Sequence, residues 1–190
     1  APFNEEKTVE FCKMVSDLNT HVQFRIKHTR HSYLIGNMLD LGPQGIEVPQ
    51  VELIETAEES VKNFYYPKAG LRSWGGTHRY GLGANPDRLE YAKWWNEYGV
   101  LWLQIESIYA VEKASSFALP GVDCLSFGPA DLTFNLESNP NYKLKNVDEC
   151  VQEVVNKLAG SNTKVCFRNY TKATRQKYID MGVTVFLERP

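Results

Sequence analysis

The sequence predicts an α/β fold of parallel strands joined by helical crossovers, on three observations. Short β-rich runs alternate along the chain with longer stretches whose apolar residues recur at helical spacing. Each strand-plus-helix unit takes about 25–40 residues, the length of a crossover rather than a hairpin. "VDCLSFGPADL" opens as an apolar run of the kind a strand covered on both faces carries. Either a (β/α)8 barrel or an open doubly wound sheet satisfies this pattern. No G-x-G-x-x-G follows the first strand, which counts against the dinucleotide-binding form of the open sheet.

Taken in order, "NEEKTVEFCKMVSDLN" places Val9, Phe11, Cys12, Val15 and Leu18 on a helical repeat, with an acidic first turn that suits the positive end of the helix dipole. "HVQFRIK" reads as a strand, "SYLIGNMLDLG" as a helix closed by Gly42, and "GIEVPQV" as a strand. "TAEESVKNFYY" reads as a helix with Thr56 as N-cap and Glu59 completing a capping box. After the loop "PKAGLRSWGGTHRYGLGA", "NPDRLEYAKWWNEYG" carries Asn85 as a possible cap, Pro86 at the first helical position and Gly99 at the exit. The remainder alternates: strands at "VLWLQIE", "VDCLSF", "KVCFRN" and "VTVFLE", with helices at "SIYAVEKASSFAL", "VDECVQEVVNKLAG" and "TKATRQKYIDMG". Six strands result, two short of a closed (β/α)8 barrel.

A chain of 190 residues suits one sizeable core, so residues 1–190 are read as a single domain. With 43% hydrophobic and 23% charged residues the composition is globular. A formal net charge of −2 offers no basic excess for nucleic acid or an anionic membrane, and no apolar run is long enough to span a bilayer. No signal-peptide pattern opens the sequence, and a cytoplasmic protein is the expectation. Cys12, Cys124, Cys150 and Cys166 are scattered through apolar periodic stretches and read as reduced packing residues.

In both candidate folds chemistry gathers where strands end at their carboxyl side. Polar residues there are Arg25 in "QFRIK", Gln104 and Glu106 in "LQIES", Asp131 in "FGPADL" and Arg168 in "CFRN". Glu106 and Asp131 follow consecutive strands, so their charges repel unless a proton or a cation lies between them. Hard divalent ions such as Mg²⁺ or Mn²⁺ are held by one or two carboxylates, with water and substrate completing the shell. The alternative is that the two carboxylates cap the following helices or pair with Arg25 and Arg168. Gly128, Pro129 and Ala130 form a turn whose backbone N–H groups can approach a substrate carboxylate without obstruction.

"LQIES" followed by "GVDCLSFGPADLT" resembles the metal-dependent, class II pyruvate aldolases of the HpcH/HpaI aldolase/citrate lyase superfamily. "FRIKHT" is similar to that family's arginine-bearing strand, "GIEVPQVE" to its V-P-M-V strand, and "YYPKAGLRSWGG" to its Y-P-P-x-G-x-R-G-x-G loop. The resemblance implies a TIM barrel, present here as strands three to eight. It also implies a divalent ion, Mg²⁺ or Mn²⁺ with Co²⁺ possible, on Glu106 and Asp131. Arg25 then contacts the 2-oxo group and stabilises enolate charge, Gln104 orients substrate, and Gly128, Pro129 and Ala130 lie near the pyruvate carboxylate. The implied activity is reversible retro-aldol cleavage of a 4-hydroxy-2-oxo acid, in a homo-oligomer whose partner is a small-molecule 2-oxo acid. A CoA-ester lyase of the citrate-lyase type and a catalytically silent barrel used for binding or assembly are the other readings.

Ala1-Pro2 looks like the residues just after the family's base histidine, so that histidine, two strands and a closing helix are expected outside this sequence or on another chain. His28 and His78 are the candidates for a substitute base or lid residue. Ser73 and Ile26 depart from the family's glycine and proline, while Arg72 and Arg79 either bind the distal end of an acidic acceptor or serve as surface charge.

Overall fold

Eight α-helices and six parallel strands alternate among the described residues, 4–85 and 87–188, of the computed structural model. The order is α1 (Glu5–Asp17), β1 (Gln23–Arg25), α2 (Ile35–Leu39), β2 (Gly45–Val48), α3 (Ile54–Phe64), α4 (Arg88–Tyr98), β3 (Val100–Ile105), α5 (Ile108–Phe117), β4 (Cys124–Phe127), α6 (Pro129–Glu137), α7 (Val147–Lys157), β5 (Lys164–Asn169), α8 (Arg175–Asp180) and β6 (Val185–Glu188). The strands follow chain order from β1 to β6. A doubly wound sheet reverses its order at a switch point, so this uninterrupted succession decides for a partial TIM barrel over the open sheet.

Two compact units divide the chain: residues up to Val48 with Glu58–Leu101, and Pro49–Ala57 with the residues from Trp102 onward. In the first, β1 pairs with β2 in the register Gln23↔Gly45, Phe24↔Ile46, Arg25↔Glu47. Its core is aromatic. Phe64, Tyr66, Tyr91 and Trp95 are buried, the Trp95 Nε1–H donates to the Phe64 carbonyl at 3.1 Å, and the Arg72 guanidinium lies over the rings of Tyr66 and Trp95. In the second, β3, β4, β5 and β6 pair in parallel. Alternation along these strands puts Leu103, Ile105, Leu125, Phe127, Val165 and Phe167 on one face, where the Phe167 ring stacks on Tyr178 of α8 at 3.8 Å. Gln104, Ser126, Cys166 and Arg168 leave the other face.

Several helix ends differ from the sequence expectation. α3 starts at Ile54, so Thr56 stands in its first turn with its N–H donating to the Leu53 carbonyl, and Glu59 accepts a hydrogen bond from Ser32 instead of closing a capping box. Asp87 rather than Asn85 caps α4, its carboxylate accepting from the N–H groups of Leu89 and Glu90 at 2.8 and 3.0 Å. Pro86, Ala1 and Pro2, each singled out above, lie outside the described residues. β2 stops at Val48, so Pro49-Gln50-Val51 is a turn and not strand. Gly42 does close the α2 segment: its φ is +113°, and a Cβ there would stand 2.8 Å from the Cβ of Cys12. The four cysteines are buried free thiols, and burial pushes Cys12 and Cys150 up to about 11. No helix among the described residues is long and apolar enough to cross a membrane.

Candidate active site

Glu106 is the first residue beyond β3, and four hydrogen bonds hold the chain there. Ser107 caps α5, its hydroxyl accepting from the Ala110 N–H at 3.2 Å, while Asn135 of α6 accepts from the Ile108 N–H at 2.9 Å. The Glu106 side chain, 7% exposed, therefore does not serve as the cap. Its Oε2 accepts from the Gln50 N–H at 2.9 Å. Gln50 sits in the left-handed region at φ 48°, uncommon for a residue with a side chain, and that twist turns its amide onto the carboxylate. The Val51 N–H donates to the Gln104 carbonyl at 3.1 Å, docking the same turn on β3.

Parallel pairing sets what lies beside Glu106. The register Gln104↔Ser126 and Ile105↔Phe127, continued by one residue, brings Glu106 against Gly128. An added Cβ at Gly128 would meet Glu106 Oε1 at 2.4 Å, its Cγ at 2.6 Å and Gln104 Nε2 at 2.9 Å. Only glycine leaves room for both side chains. The Gly128 N–H donates to the Ile105 carbonyl at 2.9 Å, so within the expected anion-binding turn this amide is engaged in the strand and Pro129 has none.

The residues that follow are a helix and not merely a turn. α6 begins at Pro129, its Gly128 N-cap makes no side-chain hydrogen bond, and Asp131 stands exposed in the first turn. The amide groups of Ala130 and Asp131 thus belong to a helix N-terminus, where oxyanions are favoured. Gln104 is 3% exposed, and its Oε1 is buried with no hydrogen-bond partner. Such an acceptor lacks a donor that a ligand or water could bring. Continuing the register by two beyond Ser126↔Cys166 places half-buried Arg168 on the far side of Gly128, on the same face as Glu106.

In the first unit Arg25 ends β1, exposed, in register with Glu47, and lines a cavity of 440 Å³ with Phe24, Lys27 and His31. Glu47 is a carboxylate only 5% exposed that sequence reasoning passed over; a charged residue inside the apolar run "GIEV" was the available signal. His28 is exposed and caps a 3-10 turn, its Nδ1 accepting from the Arg30 N–H at 3.0 Å. His78 lies by the amino end of β2, its carbonyl 3.2 Å from where a Cβ of Gly42 would be, at the strand end opposite Arg25. Arg72 and Arg79 are not surface charges: both are buried against aromatic rings. Gln50 and Asn135 were also missed, because both act through contacts distant in sequence.

A family model described as HpcH/HpaI aldolase/citrate lyase matches residues 7–178. Among curated proteins, a hydroxypyruvate/pyruvate aldolase of Delftia acidovorans (strain DSM 14801 / SPH-1) is 32% identical over 152 residues, 78% of this chain and 55% of that protein. A 5-keto-4-deoxy-D-glucarate aldolase of Shigella boydii serotype 18 (strain CDC 3083-94 / BS512) is 27% identical over 157 residues, 82% of this chain and 60% of that protein. The chain spans less than two thirds of either relative's length. Among solved structures, an HpcH/HpaI aldolase from Desulfitobacterium hafniense DCB-2 aligns with a TM-score of 0.83 at 25% identity, covering 99% of this chain and 73% of that one. The citrate synthase SbnG gives the same TM-score of 0.83 at 24% identity over 100% of this chain and 74% of its own, a likeness of fold.

Proposed function

The chain belongs to the HpcH/HpaI aldolase/citrate lyase family, and from that membership we propose that it works as a divalent-metal-dependent lyase, cleaving a 4-hydroxy-2-oxo acid reversibly to pyruvate and an aldehyde. The observation that carries this reading is the seat at Gly128, where a buried carboxylate and a buried amide from β3 lie against the start of α6. The residues suit a hard divalent ion. Glu106 and Asp131 offer carboxylate oxygens, and no group of three or more His, Cys, Asp or Glu side chains gathers among the described residues, so further ligands would come from water and substrate. Bound there, Mg²⁺, Mn²⁺ or Co²⁺ would act as a Lewis acid on the 2-oxo group.

The chain's own groups have separate tasks. The Gln50 N–H fixes the Glu106 carboxylate, and the side chain of Gln104 hydrogen-bonds substrate through its unsatisfied Oε1. The amino end of α6 favours the substrate carboxylate electrostatically. Arg25, at the motif position of the family's arginine, supplies positive charge for the enolate oxygen. Proton removal from the C4 hydroxyl needs an acceptor; His28 accepts the Arg30 N–H on Nδ1, so its neutral ring carries the proton on Nε2, and it could act as a base only on giving up that contact.

Exchange of pyruvate C3 protons in deuterated water with added Mg²⁺ or Mn²⁺ tests the proposal. Exchange that falls about 10²-fold or more in Glu106→Gln is the expected result. Metal binding by the wild-type chain with no exchange would count against lyase chemistry.

A further inference from the structure

We propose that Arg168 is a specificity-determining residue of the candidate site, holding the carboxylate of the 2-oxo acid against the amino end of α6; this rests on the lyase reading and gives a task to a residue outside it. The strand registers, continued by one residue past Ile105↔Phe127 and by two past Ser126↔Cys166, draw one row across the second unit's sheet. Glu106, Gly128 and Arg168 stand in it side by side, and Arg168 pairs on its other side with Leu187. Residues in register share a face of the sheet. Neighbouring strands lie about 4.8 Å apart, so Glu106 and Arg168 leave their strands about 10 Å from each other. Glycine puts no side chain between them. A carboxylate and a guanidinium thus flank an open position, and α6 starts from that same glycine.

Three features favour an oxyanion at that position. The nine-residue α6 turns its first amide groups toward it, and no side chain caps them. Gln104, only 3% exposed, brings Nε2 to 2.9 Å from where a Gly128 Cβ would stand, while its Oε1 is buried without a hydrogen-bond partner. A buried amide left unsatisfied beside the gap marks the gap as a place for a polar occupant. Arg168 supplies the formal charge. It is half-buried, with Nε fully so, and its neighbour beyond the row's centre is apolar. Arg168 is already engaged within the folded chain, but a guanidinium carries five N–H donors, so it can keep one contact and still meet a carboxylate. The row then fixes how the substrate lies, with Glu106 on one side and Arg168 on the other. A neutral ester or amide in place of the acid forfeits the Arg168 contact, so the site selects free 2-oxo acids.

Two measurements read the test: pyruvate C3 exchange against pyruvate concentration with added Mg²⁺, and calorimetric titration of the Mg²⁺-supplied chain with oxalate. In Arg168→Met the half-saturating pyruvate concentration should rise, and oxalate affinity fall, by about tenfold or more, with the saturated exchange rate much less affected. Arg168→Lys keeps the charge without the fork and should lose a few-fold. Mn²⁺ affinity without oxalate, read from the paramagnetic resonance of the free ion, should not weaken, because removing a positive neighbour takes no attraction from the ion. Unaltered oxalate affinity in Arg168→Met, oxalate and Mn²⁺ affinities that fall together, or no oxalate binding by the wild-type chain overturns the role of Arg168. Should Arg168→Met fail to fold, unaltered oxalate affinity in Arg168→Lys overturns it equally. Oxalate affinity that depends on Arg168 in a chain without pyruvate exchange removes the lyase reading and keeps this one; exchange with affinity independent of Arg168 does the reverse.

Discussion

Gly128 carries more of the site than its size suggests. From the motif it reads as a residue that frees backbone amides for an anion; in the folded chain its amide belongs to the strand, and its missing Cβ is what admits Glu106 and Gln104. A methyl group there would push against Glu106 Cγ at 2.6 Å, not only against the mobile carboxylate tip. On the proposed reading of Glu106 as a metal ligand, Gly128→Ala is expected to shift the carboxylate and lower kcat/KM about 10–100-fold. Melting temperature should drop by far less than that loss implies; steady-state kinetics beside thermal melts decides it, and wild-type kinetics would contradict the seat. Gln50 is illegible in sequence for a physical reason. Its contribution is a backbone N–H delivered to a residue 56 positions away, and any residue tolerating φ 48° could deliver it.

At the scale of elements, periodicity located every strand and most helices, while short helices and caps escaped it. Periodicity gives no element for α6 beyond the turn at Gly128, Pro129 and Ala130, because only Leu132 and Leu136 are buried among its nine residues and Phe134 is exposed, too few apolar positions to show a face; Pro129 at the first helical position is the better signal. Asp87 caps α4, so Asp87→Ala should cost about 1 kcal/mol, whereas Asn85→Ala should leave the cap intact. Chemical denaturation of the two variants measures the difference. α7 and α8 are joined by Asp148, which accepts from Lys177 and from the Tyr178 hydroxyl at 2.9 Å. Burial opposes its ionisation, but these two hydrogen bonds win and hold the carboxyl below its ordinary range. A lowered carboxylate pKa means stability that is complete above the ordinary carboxylate range and lost as pH falls through the lowered value. The melting-temperature gap between wild type and Asp148→Asn should be widest near neutrality and close below about pH 4.

For the whole molecule, the second unit's sheet makes a sharp stability prediction. Phe127 is fully buried, pairs in register with Ile105 and has its ring 6.3 Å from Phe167. Phe127→Ala should cost about 3–5 kcal/mol, seen as a lower denaturation midpoint with an unchanged slope. A loss below about 1 kcal/mol would mean that this face is not a packed core. By itself the sequence determined the alternation of strands and helices and the strand ends that carry Arg25, Gln104, Glu106 and Arg168, because burial periodicity and terminal polar residues are local patterns. Only the tertiary structure decided that the strand order runs uninterrupted from β1 to β6, that Gly128 is the lateral neighbour of Glu106, and that Arg72 and Arg79 are buried against aromatic rings. Those are consequences of register and of packing between segments distant along the chain, where a side chain's environment is set by neighbours that its own local sequence does not contain.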